Sequence, residues 1–158
     1  MPHLDRDQTG PCRSTHRLAL IVALAITILP LSVSGQPSSL PPMTTITFGP
    51  GSSTATESGQ VQPGGRTLYY VAAQAGQTMT VSLNPAAGLA FQVYRPDTTI
   101  ARAADGSPLI TGRTLPDAGS GDNAQAWMGA IPATGNYLIT VSPTGAAGAL
   151  FSLTVTLQ

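Results

Sequence analysis

From Thr44 to Leu157 the chain is written in short runs where apolar and polar side chains alternate. Met79, Val81 and Leu83 stand against Thr78, Thr80 and Ser82, and Leu89, Phe91 and Val93 against Ala90, Gln92 and Tyr94. Tyr137, Ile139 and Val141 oppose Leu138, Thr140 and Ser142, and the chain closes with Phe151, Leu153, Val155 and Leu157 against Ser152, Thr154 and Thr156. A period of two puts one face of a strand on a core and the other in water, as antiparallel sheets do. Threonines on the wet face suit a pleated surface. Turn residues separate the runs: Gly64-Gly65, Ala75-Gly76, Asn84-Pro85, Pro96-Asp97, Pro132 to Gly135 and Ser142 to Gly148. The pattern predicts strands near 44–49, 55–61, 67–73, 77–83, 89–95, 125–131, 136–142 and 149–157. No helix of useful length is predicted.

Each half-apolar sheet must cover its dry face. The expected fold is therefore all-β, a small antiparallel two-sheet β-sandwich of jelly-roll-like form. The stretch 98–124 breaks the rhythm. It is long for a connection and rich in Gly, Pro and Asp, which marks a functional loop or a mobile segment, with Leu109, Ile110 and Leu115 either pinning it or forming a short edge strand.

The first 35 residues read differently. Arg6, Arg13 and Arg17 precede an apolar run from Leu18 to Leu31, broken only by Thr27 and Pro30, and a small polar exit follows. That is the order of a secretory signal, with Val33 and Gly35 placed for a cut before Gln36. As a helix the run spans ~21 Å, short of a ~30 Å hydrocarbon core. Cleavage is the expectation, and membrane attachment only if the segment stays uncut. The expected domains are a signal peptide at 1–35, a Pro/Ser-rich linker at 36–43 and the β domain at 44–158, and the expected location is periplasmic or secreted.

Removing the signal changes the available chemistry. The chain has one Cys and two His, and Cys12, His3 and His16 all lie in the signal. Residues 36–158 contain no His, Cys or Lys, so a His-dependent triad, a Cys–His pair, a zinc site and a lysine Schiff base lack their atoms. Glu57, Asp97, Asp105, Asp117 and Asp122 remain, mostly beside turn residues that an Asp commonly caps. Asp117, Asp122 and Asn123 offer oxygens suited to calcium, but at no EF-hand spacing. The expectation is a protein that is not an enzyme and uses neither cofactor nor metal. Charged residues are 9% of the chain, and Arg66, Arg95, Arg102 and Arg113 are scattered, too few to neutralise several phosphates. No nucleic acid is expected as a partner.

Binding candidates follow from position. Asp117 and Asp122 ride the long loop, and Tyr94 points away from Phe91 and Val93 and is expected to be exposed. Tyr69 and Tyr70 point to opposite faces, and the pattern leaves open which is wet. Trp127 is expected to anchor the core, its N–H reaching a carbonyl of the neighbouring turn.

Two resemblances add to this. The runs GQVQPGGRTLYYVAAQAGQTMTVSL, FQVYRPD, WMGAIPATGNYLITVSP and FSLTVTL resemble the bacterial pre-peptidase C-terminal domain family over most of 57–157. Gly76 in its Ala-Gly-Gln turn, and Pro132, Gly135 and Tyr137 in the Ile-Pro-x-x-Gly-x-Tyr run, match that family's structural positions. The family is a non-catalytic β-sandwich. The opening ITFGPGSSTATESGQV, behind a signal, is similar to periplasmic inhibitors of goose-type lysozyme. That resemblance implies a loop that enters the enzyme's cleft, and it makes Ser58-Gly59 a candidate contact. The resulting reading is an exported, non-catalytic module that recognises an extracytoplasmic protein or a cell-wall component by its surface. The specific alternative is a proteinaceous inhibitor of a goose-type lysozyme.

Overall fold

The computed structural model describes residues 43–85, 88–119 and 124–158. The expected signal at 1–35, the expected linker up to residue 42, and Asp122 lie outside the described residues. The fold is all-β. Its strands are β1 (Met43–Ile46), β2 (Thr54–Val61), β3 (Thr67–Ala73), β4 (Thr78–Asn84), β5 (Leu89–Tyr94), β6 (Thr99–Arg102), β7 (Pro108–Thr111), β8 (Ala126–Ala130), β9 (Gly135–Pro143) and β10 (Ala149–Leu157). One four-stranded sheet runs β1-β3-β9-β5, a second runs β2-β10-β4-β8, and β6 pairs only with β7.

Every pairing is antiparallel except β1 with β3, where Met43 lies opposite Leu68 and Ile46 opposite Val71 in parallel. This departs from the antiparallel expectation. The cause is topological: between β1 and β3 the chain visits the second sheet as β2, so it returns to the first sheet in its original direction.

The alternation predicts the inner faces. Tyr69, Val71 and Ala73 of β3, Phe91 and Val93 of β5, and Tyr137, Ile139 and Val141 of β9 share one buried cluster with Met79, Val81 and Leu83 of β4 and Phe151, Leu153, Val155 and Leu157 of β10. Each large apolar side chain withdrawn from water contributes about 1.5–3 kcal/mol before ordering costs. Trp127 is buried in this cluster, and its Nε1 donates to the Pro116 carbonyl oxygen at 2.9 Å.

The outer faces of the two sheets differ. That of the first sheet is covered. Leu68, Tyr94 and Leu138 are buried there, packed against Tyr70, Ile100 and Ile110. Ile100 and Ile110 face each other across the β6–β7 hairpin, so the hairpin lies on this face. On the second sheet the outer face carries hydroxyls in register: Thr54 Oγ1 lies 2.9 Å from Thr156 Oγ1, Thr56 Oγ1 lies 3.0 Å from Thr154 Oγ1, and Ser58 stands beside Ser152.

The long connection is therefore not one loop. Its first half is the β6–β7 hairpin, and its second half runs back along β5. Arg95 N–H donates to Arg113 O, Leu115 N–H to Val93 O, Val93 N–H to Ala118 O, and Phe91 N–H to Ala124 O. Leu115 and Ala118 are buried in the main core. Leu109 and Ile110 form β7, away from the edges of both large sheets, and Leu115 is the pin.

Candidate functional site

The five binding candidates among the described residues do not converge. Ser58 is exposed on the outer face of β2, and Gly59 beside it turns inward. A Cβ on Gly59 would stand 2.7 Å from the Tyr69 hydroxyl and 2.8 Å from Cζ of Phe151. Those two rings meet edge to face, with centroids 6.3 Å apart. The Gly of the Ser-Gly pair is thus explained by packing, because the two rings occupy the space a side chain would need. Tyr69 is only 3% exposed. Its hydroxyl is pushed above the usual tyrosine range, first by burial and second by the charge of Glu57. It is not a surface residue.

Tyr94 corrects the expectation of exposure. It points outward as the alternation requires, yet it is 8% exposed because the hairpin covers it. Its hydroxyl donates to Gln92 Oε1 at 2.6 Å, and Gln92 Nε2 donates to the Gly119 carbonyl at 3.1 Å. Tyr94 therefore sits under the hairpin and in the bonding that fastens the loop's return. Asp117 is exposed, at a φ of 58°.

The motif positions also find physical roles. Tyr137 is fully buried, and its hydroxyl donates to the Ala133 carbonyl at 2.7 Å, closing the turn that holds Pro132 and Gly135. Thr134 Oγ1 in that turn accepts from Ala75 N–H at 3.0 Å, and Gly76 N–H donates to the Ile131 carbonyl at 2.9 Å. The Ala-Gly-Gln turn and the Pro-x-x-Gly turn are thus fastened together at one end of the domain.

A hollow of about 550 Å³ at this end is lined by Gln74, Gln77, Thr134 and Gly135, and other concave surfaces lie elsewhere on the domain. The β2–β3 connection and the β6–β7 hairpin line an open groove of about 810 Å³, with Gln60, Gln62, Arg66, Asp105, Ser107 and Leu109 among its walls. A second hollow of about 340 Å³ shares Gly64, Gly65 and Arg66 and is walled by the β9–β10 connection at Ser142 to Gly145. Arg66 belongs to both and is half-buried.

The two charges here differ in commitment. Asp105 accepts from Ser107 N–H at 2.9 Å and from Ser107 Oγ at 2.6 Å. These bonds, the side-chain one foremost, hold its carboxyl below the usual range. Among the described residues the ion pair is Arg113 with Asp97 at 3.6 Å, both exposed, so Arg66 has no carboxylate partner there. A half-buried guanidinium that lines two hollows is suited to bidentate recognition of a carboxylate or another planar acceptor. Among the described residues no three His, Cys, Asp or Glu side chains gather to hold a metal.

Reading the sequence as scattered, solvated arginines gave no sign that Arg66 lines a groove. The available signal was Thr99-Ile100 and Leu109-Ile110 flanking Asp105-Gly106, a hairpin signature. That hairpin supplies the opposite wall of the groove.

Packing and contact roles separate at the Ser-Gly pair. Gly59→Val is expected to lower stability by about 1–3 kcal/mol through overpacking, whereas Ser58→Ala stays within about 0.5 kcal/mol. Denaturant midpoints of the two variants check this.

By sequence, neither a family model nor a curated protein matches the chain. Solved structures do. The fold matches that of Aeromonas hydrophila PliG, described as a periplasmic lysozyme inhibitor of g-type lysozyme, with a TM-score of 0.56 and 27% identity, over 75% of this chain and 98% of that one. It also matches PliG of Salmonella Typhimurium, at TM-score 0.51 and 18% identity over 73% of this chain and 97% of that one. A PliG mutant from Escherichia coli gives 0.52 and 20%, again over 73% and 97%. Of the two resemblances read from the sequence, these structures carry the one to the inhibitors.

Proposed function

We propose that this protein is an exported inhibitor of a goose-type lysozyme, acting without catalysis by recognising the enzyme's surface. Its two four-stranded sheets form a jelly-roll-like sandwich, delivered to the periplasm or beyond by residues 1–35 and preceded by a short linker that ends before β1 at Met43. The observation that carries this reading is the match to the Aeromonas hydrophila inhibitor, which spans nearly all of that protein at 27% identity. The residue inventory agrees, since residues 36–158 hold no histidine, cysteine or lysine with which to transform a substrate.

The contact surface is assigned to the end bearing the β2–β3 turn and the β6–β7 hairpin. Arg66 is its anchor and Leu109 a 52% exposed apolar contact on the hairpin, whereas Ser58 lines a separate hollow of about 450 Å³ beside Leu150 and Ser152. A groove between two turns suits a loop or rim of the enzyme, and arginine is among the residues that dominate binding when desolvated. Asp117 belongs to the return of the long connection and stays outside this surface. Gly59, Tyr69 and Tyr94 support the fold without touching the partner.

Calorimetric titration of a goose-type lysozyme with the wild-type protein and with Arg66→Ala tests the assignment. The variant is expected to bind at least about tenfold more weakly, a loss of roughly 1.4 kcal/mol or more, at unchanged thermal stability. Equal affinity would move the contact surface elsewhere.

A further inference from the structure

The four outer edges of the two large sheets are not equivalent. The β5 edge is occupied by the returning loop, through the backbone bonds of Phe91, Val93 and Arg95. The β1 edge is short, at four residues. On the second sheet β2 and β8 are the outermost strands. β2 carries Glu57 on its core-facing side, opposite Leu153, and an inward-pointing charge is a recognised guard against edge pairing. β8 has the sequence Ala-Trp-Met-Gly-Ala. It has no charge, no proline and no bulge. At its centre Met128 is 71% exposed.

The register fixes which backbone groups of β8 are free. Ile131 N–H donates to Gln77 O, and Leu83 N–H donates to Gln125 O. Bonding parity alternates along an antiparallel ladder, so the odd-numbered residues of β8 turn their N–H and C=O toward β4. Ala126, Met128 and Ala130 turn theirs outward, and no described residue outside the strands bonds to them.

We propose that β8 pairs antiparallel with β8 of a second copy of this chain, about a two-fold axis through Met128. That register sets Met128 opposite Met128 and Ala126 opposite Ala130, so every outward donor of each strand meets an outward acceptor of the other. On the core-facing side Gly129 lies under the ring of its own Trp127, so Trp127 and Gly129, which face each other across this register, bring no charge to the seam. On the outer side two adaptable methionines touch. No like charges oppose, as an isologous contact requires. Pairing β2 with itself would instead bring Glu57 of both copies into the seam. The same edge offered to an extended segment of a different protein is the alternative the experiment excludes. This inference does not depend on the lysozyme reading.

A five-residue seam is a small interface, so the dimer is weak, with a Kd of about 10 μM to 1 mM. Sedimentation equilibrium of the purified protein is expected to show a monomer–dimer equilibrium in that range. Met128→Lys, at an exposed position, raises the Kd at least about tenfold, and Thr56→Lys on β2 leaves it unchanged. Amide exchange by NMR supplies a readout that needs no variant: protection at Ala126, Met128 and Ala130 rises with concentration. A protein still monomeric at about 1 mM, a dimer that Thr56→Lys loosens and Met128→Lys does not, or exchange at these amides that ignores concentration each overturns the proposal.

Discussion

Trp127→Ala is expected to cost about 3–5 kcal/mol of stability, the range for deleting a large buried aromatic. The ring does two jobs at once. It fills the core beside β4, where Trp127 lies opposite Val81, and its Nε1 ties the returning loop through the Pro116 carbonyl at 2.9 Å. Trp127→Phe separates them. It keeps most of the apolar volume and leaves that carbonyl without its donor, so its cost is expected near 1–3 kcal/mol. Chemical denaturation of both variants, read by far-ultraviolet circular dichroism, measures the two increments. A loss under 1 kcal/mol for the alanine variant would mean that the ring is not part of the core.

Gly119→Ala is expected to be nearly as damaging, at about 2–4 kcal/mol, because overpacking and an unfavourable backbone conformation add. Gly119 is buried at a φ of 94°, and a Cβ there would run into the backbone carbonyl oxygen of Phe91 and against Gln92. A backbone atom of β5, held in its ladder with β9, cannot move aside as a flexible side chain can. The loop must lift instead, breaking the Gln92 Nε2 bond to the Gly119 carbonyl and disturbing the Tyr94–Gln92 contact beneath it. Gly145→Ala is the control: its position is open space, and its midpoint should change by less than about 0.5 kcal/mol. Amide exchange should also show Val93 and Leu115, whose N–H groups donate across this seam to the carbonyls of Ala118 and Val93 respectively, losing protection in the Gly119 variant.

The parts of the fold written in the sequence are those that a single sheet face dictates. Met79, Val81 and Leu83 alternate with hydroxyls because one side of β4 meets the core and the other meets water, and that requirement acts on every second residue wherever the strand sits. Pairing partners are another matter. Nothing local to Met43–Ile46 says that it lies parallel to β3, since that depends on where the chain goes between them. The β6–β7 hairpin was hard to read for a related reason. It covers a sheet whose own core is elsewhere, so two isoleucines suffice, and four-residue strands carry too few apolar positions to establish a period.

The candidate site was less legible than the fold. The direction of Tyr94 followed from its strand, but its cover came from a hairpin that local pattern does not place. The Ser58-Gly59 pair stood out by resemblance, and the structure divides it, with Ser58 at the surface and Gly59 making room for Tyr69 and Phe151. Arg66 was one of four scattered arginines. Only the fold sets it between two hollows, without a carboxylate among the described residues, while Asp105 opposite is held by Ser107.

The central claim is that this β domain, whose residues 36–158 hold no His, Cys or Lys, silences a goose-type lysozyme by occupying its surface. Titrating such an enzyme, hydrolysing bacterial cell walls, with increasing amounts of the purified protein tests it most directly. Muramidase activity is predicted to fall to baseline as the two proteins reach equal concentration, and Arg66→Ala should shift that curve to higher concentration. Full activity in the presence of about a tenfold molar excess, well above the Kd expected of a specific inhibitor, would contradict it.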